Sequence, residues 1–336
     1  MSAKLSIVIP MAGYGTRMRP HTWTRPKPLI SVAGKPVLGQ VLESLKSAPN
    51  FENAEITFIL GYLGEMVEPY MKAEFPNLKT NYVYQKELLG QSHAIAQARE
   101  FINGPTLIVF VDTLIDANYG FLAEDEADAV IWVKEVEDPR RFGVVELGQN
   151  QWVSSLIEKP DTKENNLAIV GIYYFKRGEE LMQAIDAQIA DAVITKNEYF
   201  LADAIGLMLE KGLKLQAKPV DIWLDAGIPE TVLESNRKLL ELNLDNSNPF
   251  KPDSGNKIIE PVSIDASAQI KDSVIGPHVS IGANCTILGS QISDSILEQE
   301  VEVENSQLSA SIIGQRAQIS DFQGSLNIGD DSRVSA

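Results

Sequence analysis

Arg17 and Lys27 sit within the most informative stretch of the chain, Ala12–Pro36 (AGYGTRMRPHTWTRPKPLISVAGKP). Gly13 and Gly15 open this stretch directly behind a short apolar run. A glycine-bearing loop can turn successive backbone N–H groups toward one anion, and cations beside it supply the charge that a triphosphate demands. The first acidic residue is Glu43, whereas Lys4, Arg17, Arg19, Arg25, Lys27 and Lys35 all precede it. The first 42 residues therefore carry +6 and the remainder −23, within a net charge of −17. So acidic a chain should repel nucleic acid and anionic membranes, and its one basic patch points to a small polyanion. Two carboxylates stand at comparable places. Asp112 closes the run LIVFVDT, and Asp225 lies in DIWLDAG. Either can be a turn former or a hard oxygen ligand. Magnesium, the usual companion of a polyphosphate, takes only one or two protein carboxylates.

These residues need a scaffold, and the flanking patterns describe one. Leu5–Ile9 (LSIVI) reads as a buried parallel strand ending at Pro10. Further strands are expected at Glu55–Leu60, Asn81–Tyr84, Thr106–Val111 and Ala129–Val133. Between them, Pro36–Ala48, Gly64–Lys72 and Gln91–Phe101 place apolar residues at helical spacing. Alternation of strand and helix argues for an open, mostly parallel α/β sheet. Ligands then bind beyond the carboxyl ends of the strands, where the Ala12 loop and the Asp112 turn both open. The loop is no P-loop, because Gly34-Lys35 is followed by Pro36 rather than Ser or Thr. Nor is it a dinucleotide fingerprint, since Met18 stands where a third glycine is required.

Length and composition set the frame. At 336 residues, 44% hydrophobic and 22% charged, the chain suits two globular domains. No apolar run reaches membrane-spanning length, and MSAKLSIVIP lacks the apolar block of a signal peptide, so a cytoplasmic location is expected. Cys285 is the sole cysteine, which rules out a disulfide within the chain and reads as a small core side chain. Residues 1–242 are expected to form the α/β domain. Residues 243–257 (NLDNSNPFKPDSGNK) have linker composition. Beyond them Ile264, Ile270, Ile275, Ile281 and Ile287 recur at spacings of six, five, six and six, with Val262, Ala268, Ser273, Val279 and Cys285 two positions earlier. This rhythm in residues 258–336 resembles the hexapeptide repeat of left-handed parallel β-helices, whose stacked coils share one buried interior.

The run from Gly13 to Pro36 closely resembles the G-x-G-T-R-[LM]-x-P…P-K-P-L…G-K-P pattern of the sugar-1-phosphate nucleotidyltransferases. Further elements agree: Ile157-Glu158-Lys159-Pro160 is similar to the family's E-K-P motif, Phe142-Gly143-Val144-Val145 to its F/Y-G-V-V element, and Trp223-Leu224-Asp225-Ala226-Gly227 to W-L-D-x-G. The sequences NLAIVGIYYF and DIWLDAGIPETVLESNRKLL are most similar to the long, β-helix-bearing form of glucose-1-phosphate thymidylyltransferase. The resemblance covers nearly the whole chain. It implies a Rossmann-like sheet of nucleotidyltransferase type followed by a short left-handed β-helix.

The resemblance also implies roles. Ala12, Gly13, Gly15 and Thr16 would cradle the nucleotide phosphates, Arg17 would hold the β- and γ-phosphates, and Lys27 would neutralise the α-phosphate. Lys159 would hold the sugar phosphate. Glu158, Gly143, Gly171 and Glu198 would border the sugar, and Asp112 with Asp225 would bind magnesium. The family usually has glycine before the first of these aspartates; here Val111 occupies that place, which leaves the geometry around Asp112 open. Gln85 and Gly90, in YQKELLGQSHA, match the family's pyrimidine-reading members. A glutamine amide both donates and accepts, as the adjacent N3–H and carbonyl of thymine or uracil require.

The reaction implied is transfer of a nucleotidyl group from dTTP (or UTP) to a sugar 1-phosphate, glucose 1-phosphate first, by a magnesium-dependent cytoplasmic enzyme assembled as a homo-oligomer through its β-helix. Three rivals stand beside it. One is a transferase using UTP or GTP, or another hexose phosphate. A second is a non-catalytic homologue that senses nucleotide sugars. The third is an acyltransferase in the β-helix, for which His278 in IGPHVS is the available histidine, though its turn position reads as an exposed corner.

Overall fold

The computed structural model describes residues 4–123, 126–242 and 255–335. It comprises two compact units. The first runs up to Gly13 and from Val41 to Trp223; the second joins Tyr14–Gln40 to the chain from Leu224 onward. The division is therefore not sequential. The segment Tyr14–Gln40 finds its polar partners far along the chain, for example Asn236 for Ala33 and Glu298 for Ser31. Of the expected linker, residues 243–254 lie outside the described residues.

The first unit is built on a nine-stranded sheet. Its strands are β1 (Ser6–Pro10), β2 (Glu55–Leu60), β3 (Lys79–Tyr84), β4 (Thr106–Val109), β5 (Ala129–Glu135), β6 (Gly143–Leu147), β7 (Val153–Glu158), β8 (Leu167–Phe175) and β9 (Leu215–Pro219). The order is β7-β6-β8-β4-β1-β2-β3, with β5 paired to both β8 and β9. From β4 to β3 every pairing is parallel, and β1 is buried along its whole length, as covered parallel strands require. Elsewhere antiparallel pairs enter the mostly parallel sheet. A short connection folds β7 back on β6, and β8 runs antiparallel to β4, β5 and β6, so the sheet is mixed.

Helices α1 (Val37–Ser44), α2 (Val67–Glu74) and α3 (Gln91–Gln97) occupy the expected helical stretches, with tight 3₁₀ turns at Leu45–Ser47, Gly64–Met66 and Arg99–Phe101 completing them. Helices α4 (Gly178–Ala190) and α5 (Leu201–Glu210) follow. Their apolar faces bury Ile95, Leu181, Ile185, Leu201 and Ile205 together with Ile108, Ile131, Tyr173 and Phe175 of the sheet. Burying such side chains stabilises by about 1.5–3 kcal/mol each, which holds the strand ends in fixed relation.

The second unit contains helix α6 (Pro229–Glu241) and a parallel β-helix of the left-handed hexapeptide type, with three five-stranded sheets. Pro229 begins α6, and the Thr231 hydroxyl accepts from the backbone N–H of Ile228. Val262 pairs with Val279, Ser280 with Ile296, Ile296 with Ile312 and Ile312 with Asn327, so successive coils are 17, 16, 16 and 15 residues long. Three strict hexapeptides would give about 18, so the six-residue rhythm is shortened at the corners. Ile264, Ile270, Ile275, Ile281, Ile287 and Cys285 fill the interior. Burial pushes the Cys285 thiol up to about 12, as befits an inert core side chain. A ladder of buried serines satisfies the corners. The N–H of Ser290 donates to Ser273 Oγ, that of Ser306 to Ser290 Oγ, and that of Phe322 to Ser306 Oγ.

Candidate active site

In the first unit, β1 and β4 are adjacent and parallel, so Ala12–Gly13 and the Val111–Asp112 turn leave the same carboxyl edge of the sheet. Gly61 explains how the first loop is held. A Cβ on Gly61 would lie 2.1 Å from the Ala12 carbonyl oxygen, so only glycine allows the two backbones to meet. Ala12 itself is buried, and Gly13 is exposed. At the second loop, Val111 is buried and Asp112 half-buried. The valine side chain thus packs inward. The Thr113 N–H donates to the Phe110 carbonyl and tightens the turn, and the Phe110 N–H donates to Gly171 O. Gly171 lies where β8 breaks register, with φ of 88°, and a Cβ there would press on Thr113 Oγ1 and Phe110 Cβ. Gly171 and the Asp112 turn are therefore neighbours.

The Glu158–Lys159 pair ends β7. Glu158 is registered against Gly143, and a Cβ on Gly143 would stand 2.9 Å from Glu158 Oε2. Lys159 Nζ is 3.9 Å from Glu158 Oε1 and 4.7 Å from the centre of the Phe200 ring. The Lys159 backbone is in the left-handed region at φ 49°, which costs a non-glycine residue about 1–2 kcal/mol. Burial raises the Glu158 pKa, Lys159 opposes that shift, and Asp203 and Glu198 reinforce it. Glu198, exposed in a tight Thr195–Glu198 turn, is thus placed within electrostatic reach of Glu158. Burial likewise raises Asp203, and its Oδ2 has no hydrogen-bond partner among the described residues. The same holds for Trp223 Nε1, whose ring stands edge-on to Phe142 at 4.9 Å.

Gln85 and Gly90 also come together. Gln85 is buried at the end of β3, and its Nε2 donates to Gly90 O at 3.2 Å, with His93 Nδ1 at the same distance. Gly90 has φ of 113°, and a Cβ there would stand 2.6 Å from the backbone of Tyr199. This close approach joins the Gln85 loop to the segment carrying Glu198 and Phe200.

In the second unit, Gly15 has φ of 61° and packs beneath Thr22 and Lys27, whose atoms a Cβ would meet at 2.9 and 3.2 Å. The Thr22 hydroxyl donates to Gly15 O at 2.8 Å. Thr16 and Arg17 lie exposed on the following 3₁₀ turn, and Lys27 is half-buried. Asp225 ends the short strand Trp223–Asp225. Its Oδ2 accepts from Thr231 Oγ1 at 3.1 Å, its carbonyl accepts from Ser235 Oγ, and its carboxylate lies over Gly227, where a Cβ would intrude at 2.8 Å. Among the described residues no group of three or more His, Cys, Asp or Glu forms a metal cage. A single oriented carboxylate suits magnesium, which keeps waters and shares its ligands with phosphates. Asp225, held by one hydroxyl over a glycine, fits that role.

A family model described as nucleotidyl transferase matches residues 7–241. The chain belongs to the nucleotidyl transferase family. Among relatives, it is 31% identical over 332 residues to the low-salt glycan biosynthesis nucleotidyltransferase Agl11 of Haloferax volcanii, covering 89% of each chain. It is 30% identical over 314 residues to a glucose-1-phosphate thymidylyltransferase of Streptomyces antibioticus, covering 86% of this chain and 85% of that one. Its fold is similar to that of a UDP-glucose pyrophosphorylase solved with UDP-glucose, at a TM-score of 0.61 and 20% identity, covering 71% of this chain and all of the other.

Several residues that shape these nucleotidyl transferase elements escaped the sequence reading. Gly61 and Thr22 carry no motif signal, because their roles come from backbone approach between distant segments. Thr231 had a signal, standing three residues after Ile228 at the start of a helix, but its bond to Asp225 did not. His278 is held between Asp294 Oδ1 at 3.2 Å and Glu241 Oε1 at 3.4 Å, a corner pinned to α6.

Proposed function

We propose that the chain transfers a thymidylyl group from dTTP to a sugar 1-phosphate, with glucose 1-phosphate the foremost acceptor. An oxygen of the sugar phosphate attacks the α-phosphorus in line; the new P–O bond forms as the bond to the β-phosphate oxygen breaks, and pyrophosphate leaves. The attacking oxygen is already anionic, so no general base is needed. The work lies in positioning two anions that repel and in neutralising charge as it develops.

Lys159 orients the attacking phosphate. Glu158, Gly143, Gly171 and Glu198 receive the sugar. Ala12, Gly13, Gly15 and Thr16 cradle the triphosphate, Arg17 holds its β- and γ-phosphates, and Lys27 lies at its α-phosphate. Gln85, tied to Gly90, reads the pyrimidine edge. Asp112 and Asp225 are the residues to hold magnesium, which when bound supplies charge neutralisation and a template for the phosphates.

The observation that carries this reading is Glu158, which is largely buried opposite a glycine, beside Lys159, with its pKa raised by burial. A carboxyl group buried beside a lysine at the end of a strand is suited to hydrogen-bond a polar ligand. Support for the thymidylyl assignment is the 30% identity to a relative of that name. Pyrophosphate release with magnesium across dTTP, UTP and GTP, each against several hexose 1-phosphates, tests it. The highest kcat/KM is expected for dTTP with glucose 1-phosphate. A methyl group separates thymine from uracil, so UTP should follow within about 10–200-fold. Preference for UTP or GTP would replace the base assignment, and nucleotide binding without pyrophosphate release would favour a sensor. Assembly into a homo-oligomer through the β-helix belongs to the same proposal and is read by sedimentation.

A further inference from the structure

Arg25 belongs by sequence to the basic patch, yet in the structure its charge is spent. It is buried, with Nη1 2.8 Å from Glu298 Oε2 and Nη2 2.9 Å from Asp330 Oδ1. Both carboxylates are equally buried and come from corners of the β-helix. Every oxygen in the cluster is used. Glu298 Oε1 accepts from the Ser31 N–H at 3.0 Å and Oε2 from the Ser31 hydroxyl at 2.9 Å. Asp330 Oδ1 accepts from the Gln315 N–H, and Oδ2 from the Thr24 hydroxyl, each at 2.8 Å. Two more contacts lie alongside. His21 Nε2 is 2.6 Å from Asn327 Oδ1, and a Cβ on Gly329 would stand 3.1 Å from Pro20 Cβ. The segment touched at Pro20, His21, Thr24, Arg25 and Ser31 is the one that carries Arg17 and Lys27.

A buried ion pair is weak evidence for stability, because desolvation cancels most of its attraction; what it delivers is a single geometry. We propose that Glu298 and Asp330 are positioning residues for nucleotide binding: acting through Arg25, the third and fifth coils of the β-helix hold the cation loop Thr16–Lys27 in the shape that receives the triphosphate. This rests on the proposed function in assigning the loop to phosphate. It gives the repeat tract a role in chemistry that an assembly module would not have.

The test is carried out on the full chain with Glu298→Gln, Asp330→Asn and the milder Ser31→Ala, which removes one bond to Glu298. Asp331→Asn, which breaks the exposed pair with Arg316, serves as control. Without substrate, amide exchange over residues 14–36 should accelerate by about tenfold in the first two variants, less in Ser31→Ala and not in the control, while β1, β2 and β4 stay protected. In turnover, KM for the nucleoside triphosphate should rise about tenfold with KM for the sugar 1-phosphate unchanged. Unchanged exchange over 14–36 in every variant that folds, Ser31→Ala included, would overturn the clamp. Equal rises in both KM values would overturn its positioning role. If the wild-type chain turned over no nucleotide, the functional reading would fall, while the exchange data would still decide whether the β-helix holds the loop.

Discussion

Two polar clusters of this chain are handled in opposite ways. Around Arg25, in the second unit, each carboxylate oxygen has a partner and the cluster is closed to solvent. Around Glu158, in the first unit, the accounts stay open. Burial raises the pKa of Glu158 and of Asp203, Asp203 Oδ2 and Trp223 Nε1 lack partners among the described residues, and Lys159 is held in a left-handed conformation. Buried polar groups that are fully paired fix a geometry. Those left unpaired, with local strain, mark places where a fold has been organised for something other than its own stability. On the proposed function, the Arg25 cluster belongs to scaffolding and the Glu158 cluster to ligand.

The sharpest way to break this contrast is Arg25→Met. It leaves two buried carboxylates without their cation, which should cost about 3–5 kcal/mol, read as a fall in the urea midpoint at unchanged slope. A variant as stable as the wild type would mean that the cluster is not the closed network described. The first unit should behave inversely. Lys159→Gly removes a cation and relieves the backbone at φ 49°, so folding stability should stay within about 1 kcal/mol while turnover falls about 10²–10³-fold. Asp225→Asn should also lose turnover by about that factor at unchanged stability, since the amide oxygen can still accept from Thr231. Near-normal turnover in either variant, measured as pyrophosphate release, would remove that residue from the mechanism.

The same contrast decides what was legible in the sequence. Groups that act locally could be read. Glu55–Leu60 was expected as a strand and is one, and Gly15 and Gly171 take the positive φ that glycine permits. The six-residue rhythm named the β-helix interior correctly down to Cys285, because inward-facing positions repeat whatever the exact coil length. Arg25 was read only as one more cation, and nothing in the sequence singled out Glu298 or Asp330. A charge count sums residues and does not say which ones meet; the partners of Arg25 are 273 and 305 positions away. Nor could composition show that Tyr14–Gln40 would join the second unit, because that grouping rests on long-range bonds such as Ala33 N–H to Asn236 Oδ1. Gly61 was invisible for the same reason.

The smallest expected effect is also the one that sets the two clusters directly against each other, because pH should move them in opposite directions. His21, beside the Arg25 cluster, has its pKa lowered, chiefly by burial, with Arg25 adding to the effect and Asn327, Glu298 and Asp330 opposing it. The unfolded chain therefore binds more protons than the folded one once pH falls toward the ordinary histidine value, about 6.5, and stability contributed there is lost on acidification below it. Glu158 has its pKa raised, chiefly by burial, so the folded chain holds the extra proton and stability is lost as pH rises from the ordinary glutamate value, about 4.3. Neither slope can exceed about 1.4 kcal/mol per pH unit for one group. Urea unfolding of wild type, His21→Gln and Glu158→Gln between pH 4 and 8 separates them. Relative to His21→Gln, the wild type should lose stability on going down through the upper part of that range. Relative to Glu158→Gln, it should lose stability on going up through the lower part. Slopes of the same sign for both pairs would show that burial does not shift the imidazole down and the carboxyl up as described.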